Sequence, residues 1–149
     1  MIVQELRKVF IKDLQKLKEE IGLYHNEQNI WRVEKQIANS AGNLCLHLVG
    51  NLNMYFGTVI GKTGYVRNRD LEFSQKNVPQ KELMRMIEET IQMLDRVMGT
   101  MTDEQLMEEY PLLVLKEKTS TGYFAFHLCS HLGYHLGQIN YHRRLVGIQ

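Results

Sequence analysis

The sequence predicts an all-α protein, an antiparallel four-helix bundle with long connections, formed by residues 1–149 as a single domain. Three observations carry this reading. Four segments repeat apolar residues at steps of three and four, the period of an amphipathic helix. No segment alternates apolar and polar residues convincingly, so no sheet is expected. Only two prolines, Pro79 and Pro111, interrupt the 149 residues, and both fall between periodic segments. A chain of this length can bury a core of its own.

The first helix carries Val3, Leu6, Phe10, Leu14, Leu17 and Ile21 above a Lys/Glu outer face, with Gly22 as its expected stop. Leu23 to Asn39 is polar and aperiodic. It reads as an extended connection with room for a helical turn and Trp31 as its anchor. The second helix starts at Asn39 or Ser40, either of which can cap it. Its stripe is Ala41, Leu44, Cys45, Leu48, Leu52 and Tyr55, with His47 and Asn51 at the edge. A Gly-rich, charged loop of roughly 18 residues follows Ile60, a length usually tied to function or mobility. Pro79 opens the third helix, whose seam is Leu83, Ile87, Ile91, Leu94, Val97 and Met101. Its methionines, Met84, Met86, Met93, Met98 and Met101, read as adaptable core or dimer packing. Thr102-Asp-Glu-Gln105 has the form of a capping box and predicts a short helix to about Glu109. Pro111–Lys118 is expected to be extended. The last helix spans Thr121–Val146 and turns Leu128, Leu132, Leu136 and Ile139 toward the core.

Composition excludes some functions. Eighteen basic and 17 acidic side chains give a formal charge of +1. No basic stripe of the kind a duplex-binding protein needs is present, so nucleic acid is not an expected partner. No apolar run approaches the ~18–20 residues of a membrane span. The N-terminus moves straight into an amphipathic pattern without the features of an export signal. Cys45 and Cys129 sit inside apolar helical patterns and read as reduced, buried thiols. A soluble cytoplasmic protein is the expectation.

The histidines carry the chemistry. His127, His131 and His135, three of the six, recur at intervals of four on the last helix. Residues at that spacing stand one above the other, about 5–6 Å apart at Cβ, and two imidazoles so placed can grip one divalent cation. The His131/His135 pair borders the apolar face, where an unpaired imidazole is costly. His47 holds the same kind of position on another helix, and facing helices of a bundle converge on the interior. Three imidazoles with an open position match a catalytic zinc site, although nickel, iron or manganese suits the same ligands. His127 reads as a fourth ligand or, better, as a hydrogen-bonded structural histidine. His142 lies ~10 Å beyond His135 along the axis, too far to share its metal. With Arg143 and Arg144 it reads as a solvated or dipole-complementing helix end. His25 lies in a connection with no evident partner. Asn51 and Gln138 are placed to orient the imidazoles. An interhelical hydrogen bond serves Gln138 equally well, and Tyr134 is expected to pack. Two readings stay open for the loop Arg67–Phe73. In one, Arg67 or Arg69 grips an anionic substrate. In the preferred one, Arg69, Asp70 and Glu72 pair with one another and a helix end, while Phe73 plugs the bundle.

His47-Leu-Val-Gly-Asn51 on the second helix and His131-Leu-Gly-Tyr-His135-Leu-Gly-Gln138-Ile139 on the last resemble the DinB-like superfamily, the DNA-damage-inducible four-helix proteins. Arg67-Asn-Arg-Asp-Leu-Glu-Phe73 is similar to a loop of one branch of that superfamily. The resemblance implies a divalent metal, zinc or nickel first, on His47, His131 and His135, and a homodimer. Relatives of known activity include bacillithiol- and mycothiol-dependent S-transferases and a thiol-dependent isomerase. The function it implies is a metal-dependent enzyme of thiol S-transferase type, with a small-molecule substrate and a low-molecular-weight thiol as co-reactant. The alternatives are a metal-dependent hydrolase and a non-catalytic, metal-binding, stress-related dimer. The hydrolase is weakened because no HExxH glutamate adjoins the ligands to act as general base. A plain bundle with core histidines remains the simplest competitor.

Overall fold

A computed structural model describes residues 1–147. The chain is all-helical. Helix α1 spans Ile2–Gly22, α2 Ala41–Leu52, α3 Arg69–Ser74, α4 Gln80–Gly99, α5 Asp103–Met107 and α6 Thr121–Val146. A 3-10 turn covers Glu27–Trp31, and a π-helical turn, Asn53–Thr58, continues α2. Among the described residues the one β-type pairing is a single bridge between Glu109 and Ser120.

The caps follow from the sequence. Ser40, not Asn39, opens α2, its hydroxyl accepting the Asn43 N–H at 3.1 Å. Thr102 and Gln105 close a reciprocal capping box on α5. Asp103 also ties α5 to α1. Its carboxylate accepts the Ile2 and Val3 N–H groups at 3.0 and 2.9 Å, satisfying donors that α1 leaves open. Those two backbone bonds hold the Asp103 carboxyl below the usual range. The six-residue α3 lies inside the stretch expected to be loop, and Asn68 caps it by accepting the Leu71 N–H.

α1 and α2 each lie against both α4 and α6, and α3 lies across α2. The apolar stripes meet in one cluster that includes Phe10, Leu48, Phe56, Leu94, Leu128 and Leu132. Every residue of α2 is buried, so this short helix sits within the protein rather than on its face. Close approach demands small residues on it. A Cβ at Gly42 would stand 2.6 Å from the Trp31 ring, the anchor of the Leu23–Asn39 connection.

Two features of α6 differ from the sequence reading. His142 is not solvated: its Nδ1 pairs with the Tyr24 hydroxyl at 2.7 Å and its Nε2 with the Arg32 carbonyl at 2.9 Å. Arg143 is not a free helix terminus either. It donates to Glu20 at 2.7 Å, and Asn140 donates to the same carboxylate at 2.7 Å. Glu20 is therefore buried, although the period of α1 alone gave it no reason to be. Its carboxyl stays ionised: burial pushes the pKa up, but the bonds from Arg143 and Asn140 and the Arg143 charge outweigh it.

Candidate metal centre

His47 and the His131/His135 pair come from two helices whose contacts run in opposite order. His47 meets His131, and eight residues later Tyr55 meets Phe124. The ring centroids are 5.0 Å apart for His47–His131, 5.4 Å for His47–His135 and 4.6 Å for His131–His135, with near-perpendicular planes. One nitrogen from each ring lies within 4.8 Å of the other two. His47 Nε2 and His131 Nε2 stand 3.1 Å apart. Two nitrogens on a tetrahedral ion, each about 2.0–2.1 Å from it, stand about 3.3 Å apart.

The outward nitrogens settle the tautomers. His47 Nδ1 lies 3.0 Å from a Glu72 oxygen, which can only accept, so Nδ1 carries the proton. His135 Nδ1 lies 2.7 Å from Gln138 Oε1, with the same consequence. Both rings thus turn an Nε2 lone pair inward. Burial, followed by the neighbouring charges of His135, His47, His127 and Arg67, pushes the His131 pKa down to about 4. Burial also lowers that of His135. These two imidazoles are neutral at pH 7, the form in which they bind metal. The donor set fits a divalent ion.

Glu72 is the residue the sequence reading missed. It does not pair with Arg69. Arg67 holds it instead, Nε donating to Oε2 at 2.8 Å and a terminal nitrogen to Oε1 at 3.0 Å. The Arg67 guanidinium lies 5.7 Å above the Tyr55 ring. Burial raises the Glu72 pKa, but hydrogen bonds from His47 and Arg67 and the Arg67 charge more than offset it, so the group stays ionised. The carboxylate reaches His47 only because residue 50 is glycine: a Cβ there would lie 2.0 Å from Glu72 Oε2. A glycine inside a helix, which costs stability relative to alanine, was the available signal. Phe73 packs at 5.0 Å from the His47 ring, beside the site itself.

Other expected residues divide. Gln138 orients His135 and so belongs to the site. His127 stands outside the three-nitrogen group and stacks on Phe124, with centroids 6.0 Å apart and planes at 12°. Tyr134 is mostly exposed, its ring 5.3 Å from that of His135. Asn51 is buried one turn beyond His47, and its side-chain oxygen has no hydrogen-bond partner among the described residues. Burial raises the Cys45 thiol to about 12 and lifts that of Cys129 too, so neither is a ready nucleophile.

Residues 2–147 match the family described as "Protein of unknown function (DUF1572)". No curated protein matches the chain, and no solved structure does.

Proposed function

Because the chain belongs to the family described as "Protein of unknown function (DUF1572)", we propose its function from the site: a metal-dependent enzyme of thiol S-transferase type on a DinB-like antiparallel four-helix bundle. His47, His131 and His135 hold the ion, zinc or nickel first. The observation that carries the reading is the inward meeting of His47 Nε2 and His131 Nε2 at 3.1 Å, with the His47 and His135 tautomers fixed by acceptors behind them. A divalent ion on three imidazoles supplies Lewis-acid chemistry, lowering the pKa of a bound thiol or water.

The side chains around the centre favour thiol transfer over hydrolysis. Hydrolysis asks for a free general base. Glu72, a buried carboxylate that touches His47, is ionised but already engaged by that ring and by Arg67. The chain's own thiols are held protonated, so the thiol comes from a second small molecule. A groove of ≈ 550 Å³ beside His135 and Gln138, between residues 36–39 and α6, gives that molecule or its electrophile a berth. No charged side chain lines it, and Tyr134, Tyr141 and Leu44 offer flat apolar surface.

The same reading makes the protein a cytoplasmic homodimer that binds neither nucleic acid nor membrane. Among the described residues, no helix is long and apolar enough to cross a membrane. Residues 121–142 contain no Asp, Glu, Lys or Arg. Tyr123, Phe126, Tyr134 and Tyr141 are exposed along α6, an outer face suited to a second copy.

The test combines metal analysis with turnover. Protein purified without chelator is expected to carry one divalent ion per chain, and a His131→Ala/His135→Ala variant none. The loaded protein is then assayed for loss of a model electrophile with each of several cellular thiols. Consumption that needs both thiol and metal supports the transferase. Unchanged metal content in the double variant removes the site.

A further inference from the structure

Two of the three histidines have an acceptor behind them, and the third does not. Glu72 takes the His47 Nδ1–H, and Gln138 takes that of His135. His131 Nδ1 is sealed from solvent and has no partner among the described residues. With Nε2 turned toward His47, that Nδ1 carries the proton whenever Nε2 serves as a ligand. It is then a buried donor in need of an acceptor.

The complementary need lies on the facing helix. Asn51 is 7 % exposed, and its side-chain oxygen is sealed and unpartnered as well. It follows His47 by one turn, so the two share a face, about 5–6 Å apart at Cβ. The antiparallel order of contacts places Asn51 beside the stretch of α6 between Phe124 and His131. An unmatched donor and an unmatched acceptor thus occupy one seam, a helical turn apart. Buried polar groups in folded proteins nearly always find partners, and atoms closed to water must find theirs within the protein.

We propose that Asn51 is the positioning residue of His131, its side-chain oxygen receiving the His131 Nδ1–H directly when the ring turns to take the ion. Each ligand imidazole is then held by one acceptor: a carboxylate for His47 and a side-chain amide oxygen for His135 and for His131. Such outer partners fix ring orientation and strengthen the ligand. The inference rests on reading the three histidines as a metal centre and adds to it the residue that orients the His131 ring.

Zinc affinity and metal-free stability separate this role from a packing role. Asn51→Leu is expected to weaken zinc binding about 10- to 100-fold, the usual effect of losing an outer partner. It should leave the melting temperature of the metal-free protein unchanged or higher, since an unpaired buried acceptor has gone. Asn51→Asp keeps an acceptor and should restore zinc binding. In the zinc-loaded wild type, nitrogen-detected NMR should show the His131 Nδ1–H protected from solvent exchange. That signature needs no variant to fold. Equal zinc affinity in Asn51→Leu, or an unprotected His131 Nδ1–H, overturns this inference and leaves the metal centre standing. Failure of the wild type to take up zinc overturns both.

Discussion

Glu72 is the residue on which His47 depends. It is one of the few ionised groups inside the protein, and it touches both a cation and a candidate ligand. Its replacement therefore has two separable effects. Glu72→Ala is expected to cut metal affinity about 10- to 100-fold by freeing the His47 ring. It also leaves the half-buried Arg67 guanidinium without its carboxylate, at about 1–3 kcal/mol of stability. Metal titration reads the first and urea unfolding of metal-free protein the second. Gly50→Ala reaches the same carboxylate from the other side. The added Cβ would lie 2.0 Å from Glu72 Oε2, so the carboxylate must move and metal affinity must fall, by at least ~10-fold on the same reasoning. Normal affinity in Gly50→Ala would show that the Glu72–His47 bond is dispensable.

At the scale of elements, α6 explains both what the sequence shows and what it hides. Its four-residue histidine spacing is local, so the His131/His135 pair is legible without a fold. The partners of its last turns are not: Tyr24 and Glu20 lie more than a hundred residues away and meet His142 and Arg143 only once α1 packs on α6. Periodicity assigns polar residues to water by default, and the default fails where two polar residues bury each other. The same contacts yield a pH prediction. His142 is buried neutral, its pKa lowered first by burial, with the Arg32 carbonyl bond opposing. His131 and His135 shift the same way. With folded pKa values below unfolded ones, the unfolded chain binds more protons once the pH drops under the ordinary histidine value. Stability is therefore full above about pH 6.5 and declines below it. For His131 the decline extends to about 4. Urea midpoints of metal-free protein at pH 7.5, 6 and 5 should fall in that order. A flat series would mean that these rings titrate normally in the fold.

For the whole molecule, the four principal helices, the short α5 and the three clustered histidines were all readable from spacing. The Gly50–Glu72 approach was not, because nothing local to Arg67–Phe73 tells which α2 residue it will face. Nor was the π-helical turn after α2, where Asn53 donates to the Val49 carbonyl and to Thr90 from α4 at 2.8 and 2.9 Å. The outer face of α6 carries the prediction proper to this scale. Light scattering should give the mass of a dimer, and Phe126→Glu, a charge placed on an exposed aromatic of that face, should shift it toward the monomer. A monomeric wild type at micromolar concentration would leave that face without the proposed partner.

X-ray absorption at the zinc edge of the loaded protein tests the three-histidine centre most directly. The wild type should show three imidazole nitrogens at about 2.0–2.1 Å, falling to two in His47→Ala. A shell with fewer than three imidazoles in the wild type, or one unchanged by His47→Ala, would contradict the centre.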